Sequence, residues 1–168
     1  MCATAAIAAG PASGADVIPP VAACAALGSV DLSGVDAQVE SAGDQVENGV
    51  SFCAVAGYIS PQTHFTVLLP QSTWRGDYLQ QGCGGLCGHS EVSLSDPSRT
   101  SFHQAPYGPL ADGALVVAAD DQGHAGPGGV WAKEDPMLRV VFGYRSEHDL
   151  ARTAKAIIGA YYGRAPSK

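Results

Sequence analysis

The sequence predicts an α/β fold built around an incomplete sheet, and three observations predict it. Phe52–Ile59 and His64–Leu69 are two strand-like runs around a Ser60-Pro61-Gln62-Thr63 turn. Ala114–Ala119 is an unbroken run of small and branched apolar residues, suited to a strand buried on both faces. Near the end, Leu150, Ala154, Ile157, Ile158 and Tyr161 fall at the spacing of one helix face. Strands that begin as a hairpin, become buried and end with a helix belong to α/β sheets. The strand at 114–119 needs neighbours on both sides. The chain ends after the helix that should lead to the next strand, so an incomplete sheet is expected.

Taken in order, residues 1–20 close on Pro19-Pro20 and are expected to be disordered or the remnant of a signal peptide. Residues 21–168 are expected to form the folded part. A short helix is expected over Val21–Leu27, around Cys24. Residues 28–48 are polar, punctuated by glycine, and carry no periodic pattern. In the second strand Phe65, Val67 and Leu69 alternate with Thr66 and Leu68. Trp74-Arg75-Gly76 marks a turn, and Asp77–Gln81 reads as a strand that runs into Gly82-Cys83-Gly84-Gly85-Leu86-Cys87-Gly88. A long loop rich in Ser, Pro and Gly spans His89 to Gly113. Such loops are usually functional or covered by other parts. After the buried strand, Asp120-Asp121-Gln122-Gly123-His124 starts an irregular stretch that is expected to last to Gly143. Ser146, with Asp149 three residues on, is expected to cap the last helix, and Gly163 and Pro166 to stop it.

The bulk composition narrows the function. The chain has 168 residues, 46% of them hydrophobic and 15% charged, which fits one globular domain. Net charge is -7 with only nine Lys plus Arg, so a nucleic-acid partner is not expected. No stretch approaches the roughly 18 apolar residues of a membrane span, so no membrane partner is expected. Five cysteines stand at Cys2, Cys24, Cys53, Cys83 and Cys87. Together with the low lysine content and the Ala-rich start, they point towards export, to the periplasm or outside the cell.

The glycine loop at 82–88 carries the sharpest chemical signal. Glycines directly after a strand let the backbone turn tightly and approach a ligand closely. Their N–H groups can converge on an anion. The string fits neither phosphate-loop pattern, because no Lys follows and the glycine spacing differs. It does suit an oxyanion hole, where N–H donors stabilise the charge developing on an ester oxygen. A tight structural turn explains the same residues equally well. Cys83 and Cys87 flank the central glycines and can close a small disulfide, or start a metal site with His89, His103 or His124. Asp121 and His124 stand at the end of the buried strand. His124 there is either a catalytic base or, together with Asp121, a brace for the turn. His64 is expected on the surface. No G-x-S-x-G nucleophile elbow occurs in the chain. The nearest string, Gly88-His89-Ser90-Glu91-Val92, lacks the closing glycine, and Ser90 is not expected to be a nucleophile.

Three segments together resemble a known family. FCAVAGYISPQTHFTVLLPQSTWRGDYLQQGCGGLCG at 52–88 resembles the start of the tannase/feruloyl esterase family, which includes enzymes like mono(2-hydroxyethyl) terephthalate hydrolase. ALVVAADDQGH at 114–124 resembles that family's next strand and D-x-G-H turn. FGYRSEHDLARTAKAIIGAYYGRAPSK at 142–168 resembles the helix before its nucleophile strand. The resemblance implies an α/β-hydrolase sheet of which this chain holds the front strands and that helix. It implies a serine esterase acting on aromatic or phenolic esters, with a small aromatic ester as the partner of the full-length enzyme.

The family's nucleophile lies in a following G-C-S-x-G-G strand. Its acid, its histidine and a lid domain that often binds calcium come later still. None of these positions occurs in the chain, so no triad residue and no cofactor is assigned to it, and it is expected to be inactive alone. What carries over is Gly85 as the first oxyanion donor, with Gly84 or Leu86 beside it. A Cys24–Cys53 disulfide carries over too, as does a Cys83–Cys87 bridge, with Cys2 the odd thiol. The first bridge closes a loop worth on the order of 3 kcal/mol. Two other functions remain open: a non-catalytic binding module derived from the esterase front half, and a Cys/His metal protein.

Overall fold

Asn48 and Gly49 both take positive φ, at 52° and 78°. Two such residues make the tight turn that matches the twist of paired strands. In the computed structural model, which describes residues 16–82, 84–86, 88–92, 94, 110 and 112–167, this turn joins β1 (Ala37–Glu47) to β2 (Val50–Ile59). The two pair antiparallel from Ala37↔Ile59 to Glu47↔Val50, with a register shift between Val39 and Ser41. The absence of pattern over 28–48 therefore hid a strand. The reason is its place: β1 is an edge strand with no fully buried residue, so alternation is faint in its sequence.

A turn with a cis Ser60–Pro61 peptide leads to β3 (Thr63–Pro70), which pairs antiparallel with β2. Trp74 then packs flat against Tyr162, ring centres 3.9 Å apart, and its Nε1–H donates to the Asp77 carbonyl at 2.8 Å. β4 (Asp77–Gln81) follows. The chain later returns as β5 (Leu115–Asp120), which enters between β3 and β4. β5 runs antiparallel to β3 and parallel to β4. All six of its residues are buried, as its unbroken apolar run requires.

The stretch to Gly143 is irregular only as far as Val130. It holds α1 (Trp131–Glu134), α2 (Pro136–Val140) and a π turn over Val141–Arg145, which runs directly into α3 (Ser146–Tyr162). The cap is Asp135, whose Oδ1 accepts from the N–H groups of Met137 and Leu138 at 2.8 and 3.2 Å. Pro136 occupies the first turn, where a missing N–H costs nothing. Ser146 is thus inside a continuous helical path and caps nothing; its hydroxyl is buried without a partner. At the other end Gly163, with φ 70°, closes α3 and donates to the Gly159 carbonyl.

The main core lies between α3 and one face of the sheet. Leu150, Ala154, Ile157, Ile158 and Tyr161 meet Val55, Val67, Leu69, Val116 and Ala118 there. On the opposite face Phe52, Leu68, Leu115 and Val117 pack with Leu94. The side-chain parity of each strand separates these two sets. Cys24 and Cys53 form a disulfide, with Cα atoms 5.4 Å apart, that ties a 3-10 turn (Cys24–Ser29) to β2. The expected helix over Val21–Leu27 is this turn, shorter and shifted towards Ser29. Of residues 1–20, only 16–20 are described; there the Ile18 N–H donates to the Trp74 carbonyl at 2.8 Å.

Candidate functional site

β4 and β5 run parallel, in register from Asp77↔Leu115 to Gln81↔Ala119. Their C-terminal ends therefore open on the same rim of the sheet, where α/β proteins gather their chemistry. The glycine loop leaves β4 at this rim, and the Asp121–Gly129 turn leaves β5 beside it.

Gly85 takes φ 66°, and a Cβ built on it would meet no atom within 4 Å. Backbone conformation, not crowding, is what requires glycine there. Gly84, Gly85 and Leu86 are all exposed. Among the described residues their N–H groups make no hydrogen bond. Gly88 is held differently. Its carbonyl accepts from the Gly126 N–H at 2.9 Å, and an added Cβ would lie 2.7 Å from Gly126 backbone and 2.8 Å from the His124 ring. The loop is free at its tip and clasped at its exit. An open depression of about 460 Å³ lies over the tip, lined by Gly84, Leu86, His89, Pro127 and Gly128.

The turn after β5 is tied firmly to β3. Asp121 Oδ1 accepts from the N–H groups of His64 and Gly123 at 3.1 and 2.8 Å, and Oδ2 sits 3.0 Å from His64 Nδ1. Gln62 Nε2 donates to the Gly123 carbonyl at 2.7 Å. Asp121 is thus a brace. His64 keeps an exposed ring, as its sequence position suggested, but spends one nitrogen on that brace. His124 is buried and stacks on Trp131 with ring centres 4.3 Å apart.

Behind the rim lies a carboxylate cluster that the sequence did not disclose. Gln80 Nε2 donates to the Glu147 carbonyl at 2.9 Å and also to its carboxylate. Gln122 Nε2 reaches the same carboxylate at 3.4 Å. Asp120 Oδ1 accepts from the Gln122 N–H at 3.2 Å, while Oδ2 is buried with no partner. Burial, with the charges of Glu147 and then Asp121 adding to it, pushes the Asp120 carboxyl up to about 7. Burial beside Glu147 and Asp120 also raises the Tyr78 phenol. These residues come from β4, β5 and α3, and only the β5 insertion brings them together. A polar residue closing a fully apolar strand, as Asp120 does, is the one local signal.

Cys83, Cys87 and His103 lie outside the described residues, as does Cys2. Among the described residues no group of three or more His, Cys, Asp or Glu is placed to hold a metal ion. Ser90 has no histidine hydrogen-bonded to its hydroxyl among them either. No described helix is long and apolar enough to cross a membrane.

Comparison with known proteins gives a family and a fold. A family model described as tannase and feruloyl esterase matches residues 47–168. The crystal structure of an esterase from Aspergillus oryzae superposes with a TM-score of 0.68 at 16% identity, covering 86% of this chain and 31% of that one. Feruloyl esterase B from Aspergillus oryzae gives 0.65 at 20% identity, covering 86% and 30%. At such identities the likeness is one of fold. The chain spans just under a third of the length of these structures. No curated protein matches it.

Proposed function

The chain belongs to the tannase and feruloyl esterase family, and from that premise we propose that it supplies the oxyanion-binding rim of a serine carboxylic ester hydrolase. The N–H groups of Gly84, Gly85 and Leu86 receive the oxygen of a small aromatic or phenolic ester as it takes on negative charge. Gly85 is the first donor. The carrying observation is that, among the described residues, these consecutive N–H groups have no hydrogen-bond partner at the C-terminal rim of a parallel strand pair, over an open depression. Unpaired donors give up no existing hydrogen bond when charge develops on the ester oxygen. A Cys83–Cys87 bridge would close the loop and limit its freedom. The Cys24–Cys53 disulfide supports a secreted or periplasmic location, where such bonds persist.

The nucleophile, its base and its acid belong to segments not among these 168 residues, so the chain alone has no esterase turnover. Purified chain incubated with p-nitrophenyl acetate should release nitrophenol at the rate set by its exposed histidines. Turnover abolished by a serine-directed inhibitor would sink this proposal. Joined to a segment that carries a G-C-S-x-G-G strand and the later triad residues, the same chain should become an inhibitor-sensitive esterase. In that longer protein Gly85→Ala should lower kcat by roughly tenfold or more, because one donor moves off the developing charge.

A further inference from the structure

We propose that His124 is the positioning residue of the glycine loop, acting as a flat buried plate on which Gly88 seats. Its functional meaning rests on the oxyanion reading above; its geometry does not.

The His124 ring is 5% exposed and sits in a three-ring cluster. It stacks on Trp131 at 4.3 Å and 22°, and tilts against Phe142 at 5.6 Å and 58°. Trp131 and Phe142 also meet, 5.0 Å between centres. Both ring nitrogens are buried with no hydrogen-bond partner among the described residues. A general base needs a nitrogen within hydrogen-bond reach of the proton it takes. A turn brace needs at least one side-chain bond. Among the described residues this imidazole makes no such bond, and leaving it unpaired is unfavourable. What it does offer is its face and edge.

Gly88 lies directly against that edge. A Cβ on Gly88 would stand 2.8 Å from His124 Cδ2 on one side and 2.7 Å from the Gly126 N and O on the other. The Gly126 N–H to Gly88 carbonyl bond closes the clasp. The plate is itself fixed. The His124 N–H donates to the Asp121 carbonyl at 3.3 Å, and Asp121 is held by β3. Gly123 presses on Val141 at the start of the π turn, which also carries Phe142. Gly88 is thus fixed against the His124 ring and the Gly126 backbone. Moving the ring should move Gly88 and, with it, the Gly84–Leu86 amides that precede it in the chain.

The test uses the ¹⁵N-labelled 168-residue chain and its amide spectrum. His124→Ala should displace or broaden the amides of Gly84, Gly85, Leu86 and Gly88, and leave those of Val55 and Val67 in the sheet where they were. His124→Phe keeps a buried ring without nitrogens and should restore the loop amides. Gly88→Ala, which collides with the ring from the other side, should reproduce the His124→Ala pattern. Loop amides unmoved in His124→Ala would overturn the proposal. So would a His124→Phe spectrum as disturbed as that of the alanine variant, because the nitrogens would then matter. Should His124→Ala not fold, the Phe and Gly88→Ala spectra decide alone. An intact loop that binds no anion would instead count against the oxyanion reading and leave the plate standing.

Discussion

Asp120 carries a buried oxygen near Glu147 with no partner among the described residues, and its pKa, pushed up to about 7 by burial, lies above the ordinary carboxyl value of 3.8. The folded state therefore holds a proton that the unfolded chain releases between these values. Stability from this group is fully present below about pH 4 and is lost as pH rises through about 7, on the order of a few kcal/mol. The groups facing it are Glu147 from α3, Asp121 and Gln122 from the turn, and Tyr78 from β4. Asp120→Asn should flatten the fall in melting temperature between pH 4 and 7; a slope unchanged in that variant would reject the assignment. The two positive-φ glycines of the loop separate in the same way. Gly85→Ala meets open space and should cost about 1 kcal/mol through φ alone. Gly88→Ala meets Gly126 backbone at 2.7 Å and should cost more. Equal urea midpoints for the two would contradict the clasp.

At the level of elements, the sequence was most legible where burial is one-sided or complete. The β2–β3 hairpin, the wholly buried β5 and the inward face of α3 all lie where their sequence patterns put them. It was least legible at the edge. β1 alternates weakly because it touches only one neighbour, yet Asn48-Gly49 was a hairpin signal in plain view. Asp135-Pro136 was likewise a helix start, obscured by the π turn that breaks the 3.6-residue period before α3. Substitution can check which residue caps this helical path. Asp135→Ala should lower stability by about 1 kcal/mol, since two N–H groups lose their acceptor. Ser146→Ala should be neutral or mildly stabilising, because its buried hydroxyl has no partner. A larger loss at Ser146 than at Asp135 would restore the cap to Ser146. The glycine loop was visible as glycines after a strand, while the Asp120–Glu147–Gln80 cluster was not, because residues 27 and more apart meet only through the sheet order β3-β5-β4.

For the molecule as a whole, the Cys24–Cys53 bond joins the leading segment to β2 across 29 residues. Reducing it should lower stability by about 3 kcal/mol, read as a shift in urea midpoint that the Cys24→Ser, Cys53→Ser pair reproduces. A rim built from one parallel strand pair, a free-tipped loop and a braced turn is the common product of these scales. The reading that the rim receives an oxyanion can be tested in solution. The most direct measurement is a titration of the labelled chain with benzoate, whose carboxylate stands in for the charged ester oxygen. The amides of Gly84, Gly85 and Leu86 should move together and saturate, Gly85 furthest, while the sheet amides stay fixed. Loop amides that stay still while others shift, or that drift without saturating, would contradict it.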